Sequence, residues 1–359
     1  MKVAPLTIDY RPKLPPKCDY GIGVVGCGGI VNYAHLPAYK AHGLNILGCY
    51  DVNSEAAQST ARTHGIPTTF ESLDDLLADS RIAIVDIAVP AVEQRAIAER
   101  ALARGKHLLC QKPLAENLAD AAAIAAAGRT ARRKVAVNQQ MRWSPGIAAA
   151  KRLVEEGCLG TPIDVQIQVS VDTPLHMWPW LNSAERFDLL YHSIHYFDSI
   201  RFLFGRPDTV TSRHTRFPGP ITPAETKTIT VFDYPAGLQG LVAVNHLDRT
   251  RDAYATFRFL GTEGLITGTI GLLYDYPRGR PDTLRVESSI LSAEAVIDVG
   301  LEGSWIPDAF IGPMASLMDA IQRDATPITD AHDNLDTLRM VFGGYRSNAE
   351  GRTIRLDEV

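Results

Sequence analysis

The stretch Val24-Val25-Gly26-Cys27-Gly28-Gly29-Ile30-Val31 follows a short β-branched strand, residues 21–25, and opens a helix near Ile30. Glycines in such a turn adopt backbone angles that other residues avoid, and they let a phosphate approach the N–H groups of the helix. Val31 occupies the third position of the GxGxxG pattern, so the pattern is partial. The turn nevertheless predicts a dinucleotide site at residues 26–30.

Strand and helix patterns alternate from this turn to residue 140. The strands are predicted at residues 21–25, 45–50, 82–89, 107–110 and 135–138, and helices at 54–64, 72–77, 92–104 and 117–130. Strands that alternate with helices of ten or more residues predict a doubly wound parallel sheet.

The pattern changes after Met141, where apolar and polar residues alternate. Strands are predicted at residues 163–171, 228–233, 238–246, 254–260, 265–269, 283–288 and 295–299, and helices at 145–156, 314–323 and 331–348. This alternation predicts a second α/β domain with an open, mainly antiparallel sheet. The predicted division is therefore an extended arm at 1–20, a nucleotide-binding domain at 21–140 and a second domain at 141–359.

Composition excludes several classes of protein. The 36 basic and 41 acidic residues give a net charge of −5, which argues against a nucleic-acid or anionic-membrane partner. No apolar run approaches the roughly 20 residues that span a bilayer, and the N-terminus lacks the apolar core of a signal peptide. The five cysteines are odd in number and form no CxxC pair, so we expect reduced thiols in a cytoplasmic protein.

Asp51 supports the nucleotide assignment. It lies 25 positions after Gly26, at the end of the second predicted strand, close to the acidic residue expected about 20 positions on. An acid there accepts hydrogen bonds from both ribose hydroxyls and repels a 2′-phosphate, so NAD is favoured over NADP. The alternative is that Asp51 only caps the following helix.

From about Gly21 to its C-terminus the chain resembles the glucose-fructose oxidoreductase/inositol dehydrogenase (Gfo/Idh/MocA) family. The supporting motifs are the glycine turn with His35 downstream, Asp86-Ile87-Ala88-Val89-Pro90, Gly105 to Ala115, Asn138 with Arg142, Gly157-Cys158-Leu159-Gly160, and His195-Tyr196-Phe197-Asp198 before Gly205-Arg206-Pro207. The resemblance implies a Rossmann domain and an α/β domain whose open sheet binds substrate near the nicotinamide. It also implies a homodimer or homotetramer built by pairing those sheets, and cofactor contacts from Val89, Pro90, Gln111, Lys112 and Asn138.

The chain departs from the family pattern at three places. The family's Glu-Lys-Pro reads Gln111-Lys112-Pro113, and Gln94 stands where the family has a histidine after the strand at 82–89 and Pro90. Tyr191 replaces the aspartate that often partners the catalytic histidine, and an extra histidine, His192, follows it.

Oxidation of a secondary alcohol needs a base for the hydroxyl proton, and histidine has a suitable pKa without large perturbation. We assign this role to His195. Lys112 is expected at the carboxyl end of a strand, where its ammonium would stabilise alkoxide charge. Asp198 shares a helix face with His195 and either orients it or is an ordinary cap or surface pair. Tyr191 is an alternative acid or base, although a phenol pKa of about 10 makes it a poorer base than His195.

His192 and His195 lie three residues apart, as metal ligands on a helix also would. No third ligand with suitable spacing is evident, so no metal is expected. Trp178, beside Trp180, is either a platform for the C–H faces of a sugar or a core or interface residue. Arg142, next to Trp143, is a candidate for pairing with a substrate anion.

These observations predict an NAD-dependent oxidoreductase that acts on a secondary hydroxyl of a sugar, polyol or sugar derivative. Two alternatives remain open. One is a glycosidase of the same family that uses NAD for transient oxidation and elimination. The other is a catalytically silent regulator that binds NAD and sugar; the retained Lys112 and His195 count against it.

Overall fold

The computed structural model describes residues 6–217, 219 and 222–359, and these form two compact units. The parallel-sheet unit comprises residues 12–140 and 305–336. The nine-stranded unit comprises residues 6–11, 141–304 and 337–359.

The elements follow the predicted alternation closely. The strands are β1 (Gly21–Val25), β2 (Ile46–Tyr50), β3 (Ile82–Ile87), β4 (His107–Cys110), β5 (Val135–Val137), β6 (Pro162–Ser170), β7 (Thr209–Thr215), β8 (Lys227–Asp233), β9 (Gln239–Asn245), β10 (Tyr254–Gly261), β11 (Gly264–Thr269), β12 (Thr283–Ser288), β13 (Ser292–Asp298) and β14 (Ile354–Arg355). The helices are α1 (Leu36–Ala41), α2 (Ser54–His64), α3 (Leu73–Ala78), α4 (Ala91–Ala103), α5 (Leu118–Ala131), α6 (Pro145–Glu155), α7 (Ile194–Phe204), α8 (Ile311–Arg323) and α9 (Ala331–Glu350).

The first five strands form a parallel sheet in the order β2-β1-β3-β4-β5, which confirms the predicted doubly wound sheet. Side-chain caps start its helices where the sequence predicts them: Asn53 on α2, Ser72 on α3 and Asn117 on α5. The helix after β1 is less regular. It opens with a π-helical turn, Val31–His35, and α1 begins only afterwards, with Pro37 in its first turn, where no N–H is needed.

Residues 305–336 belong with the parallel-sheet unit, which differs from the predicted assignment of all residues from 141 onward to the second domain. Helix α8 places Met314 and Leu317 in the same buried cluster as Ile22 of β1. The N–H of Val137 also donates to the carbonyl of Thr329 at 2.8 Å. Burial of an apolar helix face therefore draws this segment to the parallel sheet.

The other unit contains a sheet in the order β13-β12-β11-β10-β6-β9-β8-β7-β14. Within the described strands of this sheet only β6 and β9 pair in parallel, so the predicted mainly antiparallel sheet is confirmed. Along β6, Val165, Ile167 and Val169 are buried, whereas Ile163 at its start is exposed. The sequence does not predict β7 and β14, because β7 is polar and β14 has two residues.

The predicted N-terminal arm lies partly outside the described residues, which start at Leu6. Leu6 forms a parallel bridge with Val299, and the hydroxyl of Tyr10 donates to the carbonyl of Glu302 at 2.9 Å. Residues 12–20 group with the parallel-sheet unit instead. Within the described part of the chain, no helix combines the length and apolar character needed to cross a membrane.

Candidate active site

The glycine turn joins the end of β1 to the π-helical turn. Gly26 has a φ of +96°, and a Cβ there would lie 2.4 Å from the carbonyl oxygen of Ala88, so conformation and packing both demand glycine. A Cβ on Gly28 would meet no protein atom within 4 Å. Gly28 and Gly29 are exposed, while Cys27 is buried and Ile30 half-buried. The open space beside Gly28 and Gly29 would allow a dinucleotide phosphate to approach the backbone of the turn closely.

Asp51 ties the end of β2 to this turn. Its Oδ2 accepts the N–H of Cys27 at 2.7 Å, and its Oδ1 accepts the N–H of Asn53 at 2.8 Å. Asn53, not Asp51, caps α2, by accepting from the N–H groups of Glu55 and Ala56. A carboxylate has about four acceptor positions, so Asp51 retains capacity for ribose hydroxyls.

Gln94 fixes the loop that carries Lys112. This glutamine of α4 is fully buried, and its Nε2 donates to the carbonyl of Gln111 at 2.9 Å and to that of Pro113 at 2.8 Å. Gln111 is buried, and its Oε1 accepts the N–H of Lys112 at 3.2 Å. The two glutamines that depart from the family pattern are thus joined in one hydrogen-bonded loop. The sequence marked Gln94 as a departure but gave it no role.

Lys112 follows β4 at the carboxyl edge of the parallel sheet, where ligands of doubly wound folds bind. Burial lowers the pKa of its ammonium to about 8. On the neighbouring strand, Val89 and Pro90 follow β3, and a Cβ on Gly26 would lie 3.2 Å from the side chain of Val89. The predicted cofactor residues after β1, β3 and β4 therefore share one edge.

Asn138 follows β5 and lies in the interior of the parallel-sheet unit. Its side chain is fully buried, and its Nδ2 lies 3.1 Å from Nε2 of His35. The Nδ1–H of His35 donates to Oδ2 of the buried Asp86 at 2.8 Å, and the hydroxyl of Tyr39 donates to the same oxygen. The Asn138 amide nitrogen is thus held inside this unit, while its Oδ1 has no hydrogen-bond partner in the part of the chain that the structure describes, so the predicted contact with a cofactor stays a prediction.

In the nine-stranded unit, the predicted proton-handling residues lie on one irregular helix. Tyr191 and His192 belong to the π-helical turn Asp188–His192, and His195 lies in the first turn of α7. Tyr191 and His192 are half-buried, and His195 is 6% exposed. The ring of Tyr191 packs on that of Trp180, with centroids 4.7 Å apart.

Asp198 pairs with Arg142, not with His195 as predicted. Its Oδ2 accepts Nε–H of Arg142 at 2.6 Å, and its Oδ1 accepts an Nη2–H of Arg142 at 2.8 Å and the hydroxyl of Thr337 at 2.8 Å. Both side chains of the ion pair are almost completely buried. The guanidinium predicted to bind a substrate anion is therefore satisfied by a bidentate partner within its own unit.

The carboxylate beside His192 is Asp188, which the sequence did not single out. Asp188, His192 and His246 place potential ligand atoms within 4.8 Å of one another. The expectation of no third ligand near His192 is therefore corrected, although the group does not include His195. His246 directly follows β9, 58 positions after Asp188, so local spacing could not reveal it.

Aromatic side chains surround the loop before α7. Trp178 is half-buried against Tyr276, with ring centroids 5.6 Å apart, and Trp180 is 44% exposed. Trp143 is half-buried at the end of a 3₁₀ turn, Gln140–Trp143. Exposed aromatic faces of this kind suit the apolar faces of a sugar ring.

Both units match family models. Residues 20–139 match the oxidoreductase family with an NAD-binding Rossmann fold, and residues 147–267 match the GFO/IDH/MocA C-terminal domain. The chain is 27% identical over 339 residues to a D-apiose dehydrogenase of Paraburkholderia graminis, covering 94% of this chain and 89% of that protein. It is 26% identical over 286 residues to a levoglucosan dehydrogenase of Pseudarthrobacter phenanthrenivorans, covering 69% and 73% respectively.

Solved structures agree with this fold. An oxidoreductase from Agrobacterium radiobacter, in complex with NAD+, L-tartaric acid and magnesium, superposes with a TM-score of 0.84 at 25% identity, covering 95% of this chain and 99% of that one. A levoglucosan dehydrogenase in complex with NADH and levoglucosan gives a TM-score of 0.79 at 22% identity, covering 94% and 99%.

Proposed function

Because the chain belongs to the Gfo/Idh/MocA family of NAD-binding oxidoreductases, we propose that it oxidises a secondary hydroxyl of a sugar or polyol with NAD+. The observation that carries the proposal is the amine of Lys112. It lies at the same carboxyl edge of the parallel sheet as the glycine turn, on a loop clamped by Gln94, and burial brings its pKa to about 8. An amine whose pKa lies near neutral pH can donate and accept a proton under working conditions.

Bound NAD+ would accept a hydride from the substrate carbon. Lys112 would donate a hydrogen bond to the reacting oxygen and stabilise its developing negative charge. His195 would take the hydroxyl proton, and Tyr191 is the second candidate for that role. Asp51 would receive the ribose hydroxyls, which favours NAD over NADP.

A carbohydrate substrate is supported by two findings. The relatives at 26–27% identity carry the names D-apiose dehydrogenase and levoglucosan dehydrogenase. In this chain, Trp178 and Trp180 lie in the loop before the π-helical turn, and their faces would pack on the C–H face of a sugar ring.

The test is an NADH-absorbance screen of the purified protein with D-apiose, levoglucosan, free aldoses, sugar acids, inositols and glycosides. We expect NADH to accumulate with at least one sugar, and Lys112→Met and His195→Ala to lower kcat by about 100-fold or more, as for other acid–base groups. Lys227→Met and His332→Ala, both at exposed positions, are matched controls.

Near-normal turnover of His195→Ala would remove His195 from the mechanism. Cleavage of a glycoside without net NADH would instead support the glycosidase alternative. Tight NAD binding without turnover on any compound would support a regulator.

A further inference from the structure

Three side chains that can bind a metal ion meet at the π-helical turn of the nine-stranded unit. Asp188 opens this turn, His192 ends it, and His246 directly follows β9. One ligand atom from each lies within 4.8 Å of the others. Asp188 and His246 are fully buried, whereas the side chain of His192 remains 17% exposed. An ion could therefore enter this cluster past His192.

The surroundings of Asp188 favour a cation. Its carboxylate accepts the hydroxyls of Ser193 and Thr228, and it accepts Nε2–H of His246 at 2.8 Å. In the part of the chain that the structure describes, no lysine or arginine forms an ion pair with it. Removal of a carboxylate from water is costly unless a positive charge compensates for it, and a divalent ion would supply that charge.

The ring of His246 is held in the orientation that metal binding needs. Its Nδ1 lies 2.8 Å from the hydroxyl of Thr173. With an ion on Nε2, the ring proton would move to Nδ1 and donate to that hydroxyl, which would turn from donor to acceptor. Metal-bound histidines almost always donate their second N–H to an oxygen, and ligating carboxylates are themselves hydrogen-bonded, as Asp188 is to Ser193 and Thr228.

The separations between the ligand atoms are close to those around an ion. Ligands bound at about 2.0–2.2 Å lie roughly 2.8–3.6 Å apart when they subtend angles of about 90–110°. Oδ1 of Asp188 lies 2.8 Å from Nε2 of His246 and 3.6 Å from Nδ1 of His192. These two separations mark the limits of that range, so the imidazoles could close on an ion by a small movement.

A buried hydroxyl beside the cluster points independently to a ligand there. Tyr196 is fully buried, and its hydroxyl has no hydrogen-bond partner among the described residues. Its ring packs edge-to-face on that of His192, with centroids 5.3 Å apart, and the charge of Asp188 acts on the phenol. A buried hydroxyl without a partner is costly, and a water bound to an ion in this cluster would supply one.

We propose that Asp188, His192 and His246 bind one divalent transition-metal ion, with water in the remaining position. Two imidazoles and one carboxylate suit zinc and related first-row ions better than magnesium or calcium, which take oxygen ligands. The site goes beyond the proposed oxidation and does not depend on it. An ion there would stabilise the turn that carries Tyr191, because both ends of the turn would be bound to the same ion.

The first test measures the metal content of the full chain, with any affinity tag removed. Protein that is treated with EDTA, dialysed against a small excess of zinc chloride and desalted should hold one equivalent of zinc by inductively coupled plasma mass spectrometry. Thr173→Val should weaken zinc binding by about 10–100-fold, the usual cost of losing an outer partner. Asp188→Asn and His192→Ala each remove a ligand and should weaken it further, as measured by competition with a chelating dye.

Two buried side chains of the same unit provide matched controls. Asp282 is a carboxylate that accepts the N–H groups of Gly146 and Gly271. His214 lies on β7, with its Nε2 2.9 Å from the hydroxyl of Ser212. Asp282→Asn and His214→Gln should keep the zinc affinity of the wild type even where they lower Tm.

The second test is thermal unfolding with and without zinc. Because an ion that binds only the folded state stabilises it, zinc should raise the Tm of the wild type but not that of His192→Ala. The side chain of His192 is partly exposed, so this variant tests the proposal even if Asp188→Asn does not fold.

Wild-type protein that retains no zinc, cobalt or manganese after this treatment would overturn the proposal. So would one equivalent of zinc held equally by the wild type, Asp188→Asn and His192→Ala, since the ion would then be bound elsewhere. Neither measurement uses NAD or a sugar, so a failed sugar screen would not be confused with a failure of this proposal.

Discussion

Removal of the charge on Asp198 should destabilise the protein strongly. In Asp198→Asn, the amide oxygen can still accept from Thr337 or Arg142, but its NH₂ group would face a guanidinium N–H that now bonds Oδ2 at 2.6 Å. Arg142 would keep its charge with its side chain only 3% exposed. Breaking a buried pair by removing one partner costs about 3–5 kcal/mol, so we expect a loss in that range.

The assay is urea denaturation followed by tryptophan fluorescence, with Arg285→Ala as the control. Arg285 and Asp298 also form an ion pair at 2.8 Å in the same unit, but both side chains are more than 60% exposed. Exposed pairs contribute about 1 kcal/mol or less, so the control should change the free energy of unfolding little.

A double replacement tests the physical reason behind this expectation. Arg142→Met with Asp198→Leu removes both charges of the bidentate pair, and such replacements are often neutral or stabilising. Arg201, whose Nη2 lies 3.6 Å from Oδ1 of Asp198, loses this carboxylate in the double variant as it does in Asp198→Asn, so the comparison of the two variants isolates Arg142. The double variant should therefore be more stable than Asp198→Asn. If Asp198→Asn loses no more stability than Arg285→Ala but lowers kcat, the carboxylate acts on catalysis and the reasoning from burial is refuted.

Three further outcomes are expected in the parallel-sheet unit. Gly26→Ala should lower Tm because of its φ of +96° and the close carbonyl of Ala88, whereas Gly28→Ala should fold normally and weaken NAD binding, as measured by thermal unfolding and titration calorimetry. If the Lys112 ammonium is required, kcat should fall as the pH rises above the Lys112 pKa of about 8. If Lys112→Arg keeps activity, its kcat should fall only at a higher pH, because arginine stays charged. Asp51→Ser should reduce the preference for NAD over NADP, and equal affinity for both cofactors in the wild type would refute the role given to Asp51.

Much of the fold follows from local patterns. Strands β1 to β5 alternate with helices that begin at Asn53, Ser72 and Asn117, residues whose side chains satisfy the first free N–H groups of a helix. Which sheet a later helix covers is not a local property. Helix α8 is amphipathic wherever it packs, and only the cluster containing Met314 and Ile22 assigns it to the parallel sheet.

The shared edge of the predicted cofactor residues was also largely predictable, because the carboxyl ends of parallel strands meet there whatever the side chains are. The side-chain hydrogen bonds in the interior of this unit were not predictable. The sequence did not predict that the amide nitrogen of Asn138 bonds to His35, 103 positions earlier in the chain. Gln94 reaches two carbonyls of the Lys112 loop, 17 and 19 positions on. Such pairings depend on which polar groups are buried next to each other when the chain folds, and this cannot be read from local sequence.

Asp188 and Asp198 lie on either side of His192 and His195 in the sequence, and spacing alone does not reveal what each carboxylate contacts. Asp198 lies three residues after His195, which favours a shared helix face. However, a buried guanidinium cannot give up its charge, whereas an imidazole can be neutral, so the carboxylate nearest Arg142 is fixed by that residue. Asp188 lies at the start of the π-helical turn, which closes with the N–H of Ser193 donating to its carbonyl, and its Oδ1 lies 2.8 Å from Nε2 of His246 and 3.6 Å from Nδ1 of His192. The partner of Asp198 is therefore decided by where the permanent charge lies, a property of the folded unit and not of the helix.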